Sequence, residues 1–170
     1  MAVHDVTPVE SRTLSVLVEN HAGVLSRVVG LFSARGFNIK SLAVGETEDP
    51  TASRITLVAE GDQKTIEQIK KQLNKLIDVI KVQDLSEEGL VDRELMLVKL
   101  RNTPQVKEAL KPLLLQYRAQ IADENQSVVT LECTQTRENT KKLFEILKGI
   151  GILEIAQTGA VALSNKPPKA

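Results

Sequence analysis

The sequence has no tryptophan, one tyrosine and three phenylalanines in 170 residues. Its core must therefore be built from Leu, Ile and Val, and modules that stack bases on exposed aromatic strands are disfavoured. The single cysteine, Cys133, cannot form an intrachain disulfide, and with only two histidines no Cys/His cluster is available for zinc. Cys133 ends a strand-like run, 128–133, and reads as a small apolar filler. Net charge is also missing: 22 Lys and Arg balance 22 Asp and Glu, so no long-range field favours nucleic acid or an anionic membrane. No apolar run approaches the ~20 residues that span a bilayer, and the start of the chain lacks the basic and apolar regions of a secretory signal. A reducing, soluble compartment is expected. Without a nucleophile–base pair, metal cluster or phosphate loop, an enzyme is the weakest reading.

What is present is a pattern, written twice. Leu14, Val16 and Val18 alternate as a strand. After Gly23 the apolar residues Val24, Leu25, Val28, Leu31 and Phe32 fall at helical spacing, and Gly36 closes that helix. Residues 37–45 and 54–59 read as a hairpin around a turn at 48–51. Asp62 caps a helix with the stripe Ile66, Ile69, Leu73 and Leu76, and 79–83 is a last strand. The polar stretch 86–89 reads as a linker. The order then restarts: a strand at 93–100, a helix opened by Thr103-Pro104 that Pro112 should kink or shorten, strands at 118–122 and 128–133, a helix through Leu143, Leu147 and Ile150, and an extended run 152–163. His4 and the tail 166–169 carry no signal. Two tandem βαββαβ units make an α+β protein of two small antiparallel sheets, each with helices on one face. Their other faces and edges need a partner, and a homodimer is the economical one.

The junction 15–27, strand–glycine–helix, is the candidate site. It aims free N–H groups and the positive helix end at whatever fills the turn, which suits a small carboxylate. Backbone donors at Gly23, Val24 and Leu25, with amides from Asn20 and Asn38, match the donor and acceptor needs of an α-amino acid. Val24, Leu25 and Ile39 are available to enclose an aliphatic side chain. Taken singly, Gly23 can be an ordinary turn glycine, Asn20 a cap and Asn38 the first residue of a strand. His21 reads as an exposed loop histidine with no partnering carboxylate in view, and Arg27 and Arg35 as solvated charges.

Several runs resemble the regulatory-subunit family of acetolactate synthase (acetohydroxyacid synthase). They are residues 14–20, then Gly23-Val24-Leu25-Ser26-Arg27-Val28, then Leu31-Phe32-Ser33-Ala34-Arg35-Gly36-Phe37-Asn38-Ile39. Ser53-Arg54-Ile55-Thr56, Gln72-Leu73-Asn74-Lys75-Leu76, residues 93–99 and Glu154-Ile155-Ala156-Gln157-Thr158-Gly159 join them, so the similarity spans residues 11–164. The resemblance implies an ACT domain at 11–85, which binds an amino-acid effector, and a C-terminal ferredoxin-like domain at 91–164. It implies a noncatalytic partner of a large subunit that uses thiamine diphosphate, Mg²⁺ and FAD. That large subunit condenses pyruvate with pyruvate or 2-oxobutyrate on the way to valine, leucine and isoleucine. The small subunit is expected to activate it and to confer feedback inhibition, by valine first of all. By the same resemblance Asn20, Gly23, Val24 and Leu25 meet the effector from one subunit, and Asn38 and Ile39 from its neighbour. A stand-alone amino-acid-sensing regulator of transcription, built from two ACT-like units, is the alternative. Balanced charge and few aromatics weigh against it.

Overall fold

The computed structural model describes residues 10–167, so His4 and residues 168–169 lie outside it. The chain forms two units. The first comprises the described residues up to Leu90 together with those from Ala162 onward, and the second is Val91–Val161.

In the first unit β1 (Glu10–Glu19), β2 (Asn38–Glu46), β3 (Ala52–Gly61) and β4 (Val79–Asp84) form an antiparallel sheet in the order β2-β3-β1-β4. Helices α1 (Val24–Arg35) and α2 (Gln63–Leu73) supply the apolar stripes that cover it. Alternation along β1 and β3 turns Leu14, Val16, Val18, Ile55, Leu57 and Ala59 toward Val24, Val28 and Phe32 of α1 and Ile66, Ile69 and Leu73 of α2. Phe32 meets Phe37 edge-on, with ring centroids 6.0 Å apart, which fixes the end of α1 against the start of β2. Asp62 caps α2 as expected, accepting the Thr65 N–H at 2.8 Å.

The far face of this sheet is not bare, contrary to the expectation of an uncovered surface. Thr13, Ser15, Thr56 and Val58 are buried there, and the Ala162 N–H donates to Thr56 Oγ1 at 3.4 Å. Residues from Ala162 onward cluster with the first unit.

The stretch read as a linker is a short helix, α3 (Leu85–Glu88), fastened to β1 by the Thr13 N–H donating to Ser86 Oγ at 2.9 Å. Asp84 caps it through Oδ1, which accepts the Ser86 N–H at 3.0 Å. The Asp84 side chain is 2% exposed, and its nearest cation, Arg12 Nη1, is 3.8 Å away. Its Oδ2 has no hydrogen bond among the described residues. Burial, above all, pushes the Asp84 carboxyl up from its usual range. An acid that is weaker folded than unfolded costs nothing when both states are protonated, and costs progressively more as pH rises through the carboxylate range. Replacing Asp84→Asn keeps the cap and removes the charge. Its urea midpoint should exceed the wild type's near about pH 7 and match it near about pH 3. An equal gap at both pH values would rule out the charge as the cause.

The second unit repeats the plan with β5 (Leu90–Arg101), α4 (Pro104–Gln116), β6 (Gln120–Glu124), β7 (Val128–Gln135), α5 (Arg137–Ile150) and β8 (Ile152–Gln157). Its sheet runs β6-β7-β5-β8, and Met96, Val98, Leu100, Val129, Leu131 and Cys133 meet Leu110 and Leu113 of α4 and Leu143 and Leu147 of α5. Pro112 does not end α4. It lies on the solvent side together with Glu108, so water can serve the carbonyl that loses its partner. Arg118 takes a left-handed φ of 49° after α4, which delays β6 to Gln120. The extended run at the end is broken by Gly159, at φ 76°, before the last strand β9 (Val161–Ser164).

Candidate functional site

β1, pinned by its buried Leu14, Val16 and Val18, delivers the chain to a bend at 20–23. The Asn20 N–H donates to Thr51 O at 2.7 Å. Its side-chain amide donates to Glu46 Oε1 at 3.1 Å and to Pro50 O at 2.9 Å. Both amide hydrogens therefore brace the β2–β3 hairpin, and the amide oxygen, beside the Glu46 carboxylate, has no donor among the described residues. An oxygen next to a carboxylate is a place for an ammonium group.

Gly23 has φ 88° and ψ −11°, a left-handed conformation that any side chain would strain. It caps α1 without a side-chain bond, whereas α2, α4 and α5 are capped by Asp62, Thr103 and Thr136. The Val24 N–H bends back to His21 O at 3.4 Å, and the first helical bond is Arg27 N–H to Gly23 O at 3.0 Å. The open donors are consequently those of Gly23, Leu25 and Ser26, which have no acceptor among the described residues. Of the expected donors only Val24 is spent on the bend, and Ser26 joins the set. Val24 is also corrected as a pocket wall: its side chain is 3% exposed and belongs to the core, while Leu25 is 41% exposed and faces outward.

Asn38 and Ile39 sit at the opposite end of α1. That helix has 12 residues, hence a length of ~18 Å. Asn38 is exposed and donates to Glu60 Oε2 at 3.4 Å, and Ile39 packs partly against the core. Within one chain the structure therefore gathers Asn20, Gly23, Val24 and Leu25 and leaves Asn38 and Ile39 apart.

A charged cluster beside the bend escapes the sequence reading. Arg27 Nε donates to Asp78 Oδ2 at 2.6 Å, and His21 Nε2 lies 3.2 Å from Asp78 Oδ1 and 3.2 Å from Glu19 Oε2. His21 thus has two carboxylate neighbours, and Arg27 is no free solvated charge. Asp78 is 5% exposed, and the Arg27 guanidinium holds its carboxyl below the usual range. The donor atoms of Glu19, His21 and Asp78 lie within 4.8 Å of one another, a set that a cation can use. Arg27 already supplies the positive charge there, so a metal ion would meet repulsion. The sequence does carry a hint: Arg27 is four residues after Gly23, and Asp78 stands between Ile77 and Val79 at the start of a strand.

The corresponding bend in the second unit closes on itself. Thr103 Oγ1 accepts the Val106 N–H at 3.3 Å, and Asn102 bonds to Asn125 O and, at 3.2 Å, to Glu124 Oε1. Cys133 is 1% exposed, and burial pushes its thiol up, as befits filler.

Comparison with known proteins agrees with this anatomy. Residues 14–81 match the family model described as an AHAS small subunit-like ACT domain, and residues 93–166 match that of the small subunit of acetolactate synthase. The acetolactate synthase small subunit of Mycolicibacterium smegmatis is 46% identical over 157 residues, 92% of each chain. The isozyme 3 small subunit of Escherichia coli is 44% identical over 154 residues, 90% of this chain and 94% of that one. The crystal structure of the small subunit from Thermotoga maritima superposes with a TM-score of 0.81 at 38% identity, covering 94% of this chain and 99% of that one. No helix among the described residues is long and apolar enough to cross a membrane. The chain belongs to the acetolactate synthase small-subunit family: a noncatalytic, regulatory polypeptide whose first half carries an ACT domain.

Proposed function

We propose that the chain activates the catalytic large subunit and makes it sensitive to a branched-chain amino acid, valine foremost, bound at an interface between two copies of the ACT domain. The observation that carries this reading is the open end of α1 at Gly23, set at one end of the edge strand of the described sheet. β2 is that edge, nine residues long. Two β2 strands joined antiparallel about a two-fold, centred near Leu42, bring the partner's Asn38 opposite Glu46. Glu46 is the residue that Asn20 bonds. The residues that one chain keeps apart are thereby gathered by two. The effector's carboxylate then takes the N–H groups of Leu25 and Ser26, its ammonium the Asn20 oxygen and Glu46, and its side chain Leu25 and the partner's Ile39.

Inhibition follows if valine binds one arrangement of the dimer better than the other, and if that arrangement supports the catalytic subunit less well. A coupling of ~1–3 kcal/mol suffices. The chemistry, with thiamine diphosphate, Mg²⁺ and FAD, stays on the large subunit, in bacterial cytoplasm or an organelle stroma. Co-purification with that subunit, with acetolactate formation from pyruvate measured alone and with valine, leucine or isoleucine, tests the reading. Higher activity with the small subunit and its loss on adding one of the three is expected. No heat from any of them in calorimetry on the folded dimer would overturn it.

A further inference from the structure

We propose that Arg27 is the specificity-determining residue of the effector site, selecting a free carboxylate, and that Asp78 is the residue that positions it. This deepens the reading above and rests on it.

A Cβ built on Gly23 would stand 3.1 Å from Arg27 Nη1, so the terminal nitrogen lies directly against the bend. Four residues along a helix return a side chain to the same face, which is why Arg27 reaches back over its own cap. The fork is fixed from behind. Its Nε is held at 2.6 Å by Asp78 Oδ2, and Asp78 is itself buried, with its other oxygen 3.2 Å from His21 Nε2 and its main-chain carbonyl accepting the Glu19 N–H at 2.9 Å. A guanidinium carries five donors in a rigid plane. One is spent on Asp78, and those of Nη1, on the Gly23 side, have no acceptor among the described residues. Donors held in place on a rigid support lose little freedom when a ligand arrives.

The open N–H groups of Leu25 and Ser26 and the Nη1 donors thus both belong to the bend at Gly23. The main-chain donors alone would accept any oxygen, including the carbonyl of an amide. A fixed cation adds the discrimination between –COO⁻ and –CONH₂, because a charge-assisted bond is about twice as strong as a neutral one. The ligand class is therefore a free α-amino acid rather than a peptide's interior residue or an amide.

Valine and valinamide, titrated by calorimetry into the full-length dimer, test this. The wild type should bind valine and prefer it to the amide. Arg27→Gln should weaken valine about 10–100-fold while changing the amide by less than about threefold, so that the preference collapses. Arg27→Lys, which keeps the charge and loses the fork, should recover part of it. Asp78→Ala, which leaves the fork unsupported, should lower the preference as Arg27→Gln does. A merely structural role for either residue would weaken both ligands alike. Equal losses, or a preference left intact in Arg27→Gln, would overturn the inference while the valine heat of the wild type left the site itself standing. A wild type silent to valine would sink both.

Discussion

A holoenzyme reconstituted with the Gly23→Asp small subunit is expected to stay active at valine concentrations that shut down the wild type. Two separate effects act at this position. The left-handed φ of 88° costs any non-glycine residue about 1–2 kcal/mol of local strain. The new Cβ would also arrive 3.1 Å from Arg27 Nη1, and the carboxylate it bears would seat itself on the donors meant for the effector. Valine would then have to displace a tethered anion, which amounts to a loss of affinity of about a hundredfold or more. Gly23→Ala separates the two effects. It carries the strain and the close approach without the charge, and should weaken valine less. Inhibition curves for the three proteins decide the matter, and an unchanged valine midpoint in Gly23→Asp would remove the bend from the mechanism.

The largest expected loss of stability comes from Phe32→Ala. Phe32 is 1% exposed and is the largest fully buried side chain among the described residues. It joins α1 to the sheet and, through its edge contact with Phe37, to the entry of β2. Emptying such a site costs about 3–5 kcal/mol, because the lost transfer energy is compounded by the hole left behind. That is a fifth or more of the roughly 5–15 kcal/mol by which a domain is stable. In urea the transition of the first unit should move to much lower concentration. With two units present, that transition should be followed separately from the second. A midpoint shift equivalent to less than about 1 kcal/mol would mean the helix closes over the void.

Much of this molecule is legible in one dimension. The alternation of Leu14, Val16 and Val18 and the spacing of Val24, Val28 and Phe32 define β1 and α1, because strand and helix periods are local geometry. The cap at Asp62 is equally local. Pro112 misleads, since a missing hydrogen bond matters only if the orphaned carbonyl is dry, and dryness is a property of the packed fold. The site divides in the same way. Gly23 is visible because a bend after a strand asks for it. The Arg27–Asp78 pair is not, because its members are separated by 51 residues and meet only when β4 lies beside β1. Two observations that sequence patterning does not supply place Asn20: its hydrogens go to Glu46 and Pro50, on a hairpin that folds back to it.

The second unit is spliced into the first rather than strung after it. Both of its ends run into the same body, and the Asn165 N–H reaches Gly89 O at 3.2 Å, so entry and exit are neighbours. Truncation at the boundary would therefore strip the first unit of the residues from Ala162 onward that cluster with it. Excising 91–161 as an internal cassette and rejoining Leu90 to Ala162 through a few glycines is the surgery that preserves it.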